Sequence, residues 1–92
     1  MTNLYYKAVA ISTLHKIKES GHIRGDYYKR FGKRATYLTK SYGIAQTYAK
    51  ENRGIVLVID MSHIPVQKSG HTNQYVTFDV IPKDRIVGVN EV

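Results

Sequence analysis

Fourteen residues, DYYKRFGKRATYLT from Asp26 to Thr39, carry four Lys or Arg and four aromatic rings, with one acid at their edge. That mixture suits one kind of chemistry. Lys29, Arg30, Lys33 and Arg34 can meet phosphate oxygens, while rings such as Tyr27 and Tyr28 can stack on bases at roughly 1–3 kcal/mol each. Widening the window to Arg24–Lys40 adds two more cations. Six cations against Asp26 alone then place +5 of the formal +7 charge in this one segment. Excess positive charge raises the local concentration of polyanions and speeds encounter with them. The competing reading is a solvated basic loop leading into a strand.

Tyrosine is the other unusual feature, with eight Tyr against two Phe and no Trp. A buried phenol needs a partner for its hydroxyl, so eight cannot all be core. Tyr5 and Tyr6 are neighbours on a predicted strand and point to opposite faces, so one of them looks to solvent, a loop or a ligand. Other chemistries find no support. His15, His22, His63 and His71 make no metal-binding pair at helical spacing, and no carboxylate-rich set joins them, so no metal site is expected. The chain has no cysteine, which removes disulfides, thiolate zinc sites and thiol nucleophiles. No serine sits in a glycine-flanked elbow, and neither a Walker-type loop nor G-x-G-x-x-G occurs. Arg24–Asp26 spells RGD, which in a chain of this composition reads as coincidence.

The elements that must hold these residues follow from periodicity and punctuation. NLYYKAVAI (Asn3–Ile11) reads as a strand. Ser12 is placed to cap a helix carrying Leu14, Ile17 and the stem of Lys18 inward, with Gly21 as its left-handed stop. His22–Arg34 has no sustained period and reads as a long loop, then Ala35–Thr39 as a strand. Ser41 caps a second helix whose Ile44, Ala45, Tyr48 and Ala49 share one face, and Arg53-Gly54 ends it. IVLVID (Ile55–Asp60) is apolar without alternation, which predicts a strand covered on both faces. A polar loop with Pro65, Gly70 and Asn73 follows. QYVTFDV (Gln74–Val80) alternates as a strand, Pro82 interrupts, and RIVGV closes the series. The reading is an α+β fold: one small domain, residues 1–92, with a mixed or antiparallel β-sheet and two short helices. Such a chain buries roughly 60–65% of its unfolded surface, so its core is modest. No apolar run approaches the roughly 20 residues of a membrane span and no signal peptide opens the chain, so a cytoplasmic protein is expected.

LYYKAV, STLHKIKESG, GKRATYLTKSYGIAQTYA, IVLVID, NQYV and VIPKDRI together resemble the compact ADP-ribosyltransferase-like fold, over Leu4 to Val89. In that family an L-Y strand ending in His or Arg precedes a helix with a terminal glycine and a basic or glycine-containing loop. A Y-L strand with Thr or Ser, a helix of the form A-x-x-Y-A, a hydrophobic strand, a strand bearing a catalytic Glu and an I-P turn complete it. RNA 2′-phosphotransferases share the fold, and GKRATYLT resembles their stretch too. The resemblance implies NAD as cofactor. It places Tyr6 where the family has a His or Arg holding a ribose or phosphate, with Lys7 and Arg34 as substitute cations. Tyr37 and Thr39 match the second-strand aromatic and hydroxyl, and Tyr48 the helix aromatic supporting the nicotinamide pocket. Gln74 falls near the catalytic Glu. There a neutral amide keeps a hydrogen bond but not the charge that stabilises a developing oxocarbenium, a loss on the order of 10²–10³ in rate.

Three functions follow as expectations. The first is a small basic ADP-ribosyltransferase-like protein binding NAD-like or nucleic-acid ligands, with transfer weak or lost. The second is a non-enzymatic inhibitor of the size found in phages or mobile elements. It would dock on an acidic protein or RNA through Arg24, Tyr27, Tyr28, Lys29, Arg30, Lys33, Arg34 and Lys40. The third is an active transferase or phosphotransferase with an atypical site.

Overall fold

The unbroken apolar run of Ile55–Asp60 forms a strand in which Ile55, Val56, Leu57 and Ile59 are all buried. In the computed structural model, which describes residues 3–70 and 73–91, this strand is one of nine. In chain order the elements are β1 (Leu4–Val9), α1 (Ile11–Ser20), β2 (His22–Ile23), β3 (Asp26–Tyr28) and β4 (Lys33–Thr39). They continue with α2 (Tyr42–Glu51), β5 (Ile55–Asp60), β6 (Gln67–Lys68), β7 (Gln74–Thr77), β8 (Ile81–Pro82) and β9 (Ile86–Glu91). The main sheet runs β6-β7-β4-β1-β5-β9, with β3 paired to β4 and a small separate β2-β8 ladder. Every pairing is antiparallel. The architecture is α+β, as the order of elements predicts.

The two helices cover opposite faces. Leu14 and Ile17 of α1 pack with Tyr5, Val9, Ile55, Leu57 and Ile59, whereas Ala45 and Ala49 of α2 pack on Val56 with Tyr6, Ala8 and Tyr42 around them. Because successive strand residues alternate faces, β5 needs apolar residues at nearly every position, and it has them. No helix among the described residues is long and apolar enough to cross a membrane.

Several local expectations need correction. The α1 N-cap is Ala10, whose carbonyl accepts from Leu14 N at 3.1 Å, and Ser12 lies inside the first turn. Lys18 is exposed. Gly21 does stop the helix, at φ 85°, with its N–H on the Ile17 carbonyl. Ser41 caps α2, its hydroxyl accepting from Ile44 N at 3.2 Å, and α2 closes on Asn52 ahead of Arg53, which has φ 51°. The segment His22–Arg34 is not a loop. It contains β2 and β3, and β3 folds back on β4 with Asp26↔Ala35, Tyr27↔Arg34 and Tyr28↔Lys33 opposed. The polar segment after β5 contributes β6, and β7 ends at Thr77 rather than Val80. His71 lies outside the described residues.

A candidate ligand cleft where the sheet splits

Strands β1 and β4 are in register at one pair, Tyr6↔Thr39. Toward the start of β4 they part, and that end of β4 takes β3 as its partner instead. Thr39 is also opposed to Gln74 of β7, so Tyr6, Thr39 and Gln74 form a row across three strands. Directly opposed residues point to the same face, and this row shares the face of Val58, which stands opposite Tyr6. That is the face α2 covers. Between the parting strands and α2 lies a cleft of about 740 Å³, within the range of small-molecule sites.

The helix wall explains why the sequence leaves room. Ala45 and Ala49 are almost fully buried, and their small side chains let α2 sit close to the sheet. Ile44 and Tyr48, on the same predicted apolar face, are 38% and 57% exposed and line the cleft. The stripe is thus split between packing and the cleft wall. Lys7 is opposed to Leu57 and so leaves β1 on the α1 face. Its ammonium nevertheless crosses the gap between the strands, donates to the Tyr37 carbonyl at 3.3 Å and borders the cleft. Burial holds the Lys7 ammonium below its ordinary value of 10.5, and the Asp26 carboxylate partly opposes that shift. One N–H is used on Tyr37, which leaves donors for an anion.

Tyr37 joins this cleft to the hairpin. Arg30 donates to its hydroxyl, and the Arg30 guanidinium lies 4.6 Å from the Phe31 ring centroid. Tyr28 meets Tyr37 edge-on at 5.0 Å, Phe31 meets Phe78 edge-on at 5.1 Å, and Lys33 Nζ sits 4.1 Å from the centre of Phe78. The Tyr28 phenol is pushed up by burial first and by Asp26 and Tyr37 next, with Arg30 acting against them.

Of the residues picked from sequence for a nucleotide, Tyr6, Lys7, Tyr37, Thr39, Tyr48 and Gln74 all line the cleft, and Arg34 does not. Arg34 points to the other face and donates to the Gly25 carbonyl at 3.0 Å. The proposed basic face also divides. Tyr28 and Arg30 meet Tyr37 and Lys33 sits over Phe78, while Tyr27 is opposed to Arg34 and therefore lies on the far side. Arg24 bonds to His22, Lys29 is exposed in the turn, and Lys40 sits over Tyr5 and Tyr75 at the other end of β4. Sequence reasoning missed Phe78, whose place in the ring cluster depends on β7 lying beside β4, and Ala45, whose importance is its small size.

No Asp or Glu lines the cleft, and no group of three His, Cys, Asp or Glu among the described residues is placed to hold a metal. Among the described residues its titratable heads are the Lys7 ammonium and phenols. The lining offers, among the described residues, aromatic rings and one ammonium, and no carboxylate that could act as general base or stabilise a cation. Comparison with protein-family models, with curated proteins and with solved structures gave no match.

Proposed function

We propose that the cleft binds a NAD-like nucleotide in an ADP-ribosyltransferase-like fold, with transferase activity weak or lost. The observation that carries this reading is the row Tyr6–Thr39–Gln74 at the point where β1 and β4 part, with Lys7 bridging the gap. The order β1-α1-β2-β3-β4-α2-β5 keeps the strands and helices of the motifs on which the resemblance rests in sequence, with β2 and β3 where those motifs have a loop. In the proposed pose Lys7 meets a phosphate, a charge-assisted bond of about 1.5–3 kcal/mol, and Tyr48 covers an aromatic ring. Thr39 and Gln74 bond ribose hydroxyls. A neutral Gln74 cannot offset the positive charge of a breaking glycosidic bond, hence the weak transfer.

Thermal shift with NAD and ADP-ribose tests the binding, and labelled NAD with candidate acceptors tests the transfer. Ligand at 100 times its dissociation constant adds about 2.7 kcal/mol, or about 10 °C or more in Tm for a domain of this size. No shift with any nucleotide removes the reading. Robust transfer that survives Gln74→Ala contradicts the role given to Gln74.

A further inference from the structure

We infer that the cleft-side face of the β3–β4 hairpin is a binding strip for single-stranded nucleic acid, leading from the hairpin turn to the mouth of the cleft. It stands on the hairpin and not on the nucleotide reading. Alternation along β4 puts Lys33, Ala35, Tyr37 and Thr39 on one face, and Tyr28 joins them because it is opposed to Lys33. Phe31 from the turn and Phe78 from beyond β7 complete a cluster of four half-buried rings. Arg30 and Lys33 are exposed, and their charged heads lie over these rings instead of ranging freely. Ordering them beforehand lowers the entropy lost on binding.

The hairpin's own acid, Asp26, shares this face because it is opposed to Ala35, and it offsets only one of the four cations Lys29, Arg30, Lys33 and Arg34. Arg24, Arg30 and Arg34 donate to His22, Tyr37 and a backbone carbonyl, none of them a carboxylate. Uncompensated cations call for an anion. The rings decide which anion. A duplex offers phosphates but keeps its bases stacked, whereas a single strand offers both phosphates and base faces, which stack on aromatic rings and on guanidinium planes. An acidic polypeptide would use the charges and leave the rings idle. Tyr37 belongs to both strip and cleft, so a strand on the strip delivers a nucleotide to the cleft mouth.

Fluorescence anisotropy on the full chain tests this with labelled single-stranded RNA and DNA of about ten nucleotides, within known single-strand site sizes. A duplex of the same sequence and polyglutamate serve as competitors. The expected result is binding of single strands at least about tenfold tighter than of duplex, with log affinity falling against log salt at a slope near −2. That slope corresponds to about three phosphates met by Lys29, Arg30 and Lys33. A preference for RNA assigns contacts to the 2′-hydroxyl, and equal affinity assigns RNA and DNA alike to the strip. Phe78→Ala should weaken binding about tenfold while the NAD-induced thermal shift stays. Lys33→Glu, at an exposed position that leaves the fold intact, should weaken it comparably and flatten the salt slope. Duplex or polyglutamate binding as tightly as the single strands overturns the inference, and so does unchanged affinity in Lys33→Glu. Loss of the NAD shift in wild type alongside retained strand binding would remove the nucleotide reading alone.

Discussion

The two edges of β1 are used in opposite ways. Toward β5 it is sealed by six consecutive pairs, from Leu4↔Asp60 to Val9↔Ile55. Toward β4 it keeps one pair and then lets go. On the sealed edge the fit leaves no slack: a Cβ on Gly54 would run into the Val9 carbonyl. On the open edge a side chain stands where a strand would: Lys7 supplies the donor to the Tyr37 carbonyl that a neighbouring N–H supplies in a ladder. A carbonyl shut off from water must find a partner, and using an ammonium for it places a cation at the border of the cleft. Strand pairing is concentrated along one edge and the cleft lies along the other.

Substitutions should separate the two edges, starting with the largest effect. Leu57 is fully buried against α1, and Leu57→Ala should cost about 3 kcal/mol. That is more than 10 °C in a melting curve at this chain length, with nucleotide affinity of the remaining folded protein unchanged. A smaller but local loss is expected at Gly25, which has φ 72° and whose added Cβ would overlap the Ala35 carbonyl and the buried Thr36 hydroxyl. Gly25→Ala should cost about 2 kcal/mol through strain and displacement, read as a lower urea midpoint. Because Gly25 leads into the hairpin, strand binding should fall further than the stability loss alone explains.

How much of this could be read beforehand differs between the edges for the same reason. The sealed edge announces itself, because IVLVID is apolar at every inward position. The open edge is defined by where a ladder stops, and no residue type encodes that. Tyr6, Thr39 and Gln74 were placed by motif resemblance, while their alignment in a row is a matter of register. The hairpin hid because its strands carry charges and rings on both faces, giving no period of two. Its turn signal was nevertheless present: Gly32, at φ 68°, closes the Lys29–Gly32 connection as a left-handed glycine does in short hairpin loops. The misplacement of Arg34 was avoidable too. It stands three residues from Tyr37 on one strand, so alternation puts the two on opposite faces, while Lys33, four residues away, shares the Tyr37 face.

Lys7→Met sharpens the comparison at intermediate size. It removes the anion partner and should weaken nucleotide binding about tenfold or more. The Tyr37 carbonyl loses its donor, a cost of about 1–3 kcal/mol, which removal of a desolvated charge offsets in part. Stability should therefore fall by about 1 kcal/mol. Its pH dependence has a definite sign. The folded-state value lies below 10.5 because of burial, so between the two values the unfolded chain holds more protons than the folded one. Stability contributed by this group therefore rises with pH through that window. Nucleotide affinity falls over the same window as the ammonium is lost. Isothermal titration and chemical denaturation across alkaline pH should show opposite slopes in wild type, and Lys7→Met should show neither contribution.

The smallest effect concerns how each helix is anchored to its edge. Over the cleft, Ser41 caps α2, and its own N–H donates to the Thr39 hydroxyl at 3.0 Å, tying the helix start to the Tyr6–Thr39–Gln74 row. Over the other face, α1 starts from Ala10 with no side-chain cap. Ser41→Ala should cost about 1 kcal/mol, and Ala10→Ser, at φ −70° and ψ 154°, should gain about half as much. Both are measurable as shifts in denaturation midpoint. If the caps serve only the helices, neither change moves nucleotide affinity beyond about twofold. A tenfold loss in Ser41→Ala with little change in stability would instead make the start of α2 part of the ligand's binding surface, extending the open edge from the sheet onto the helix.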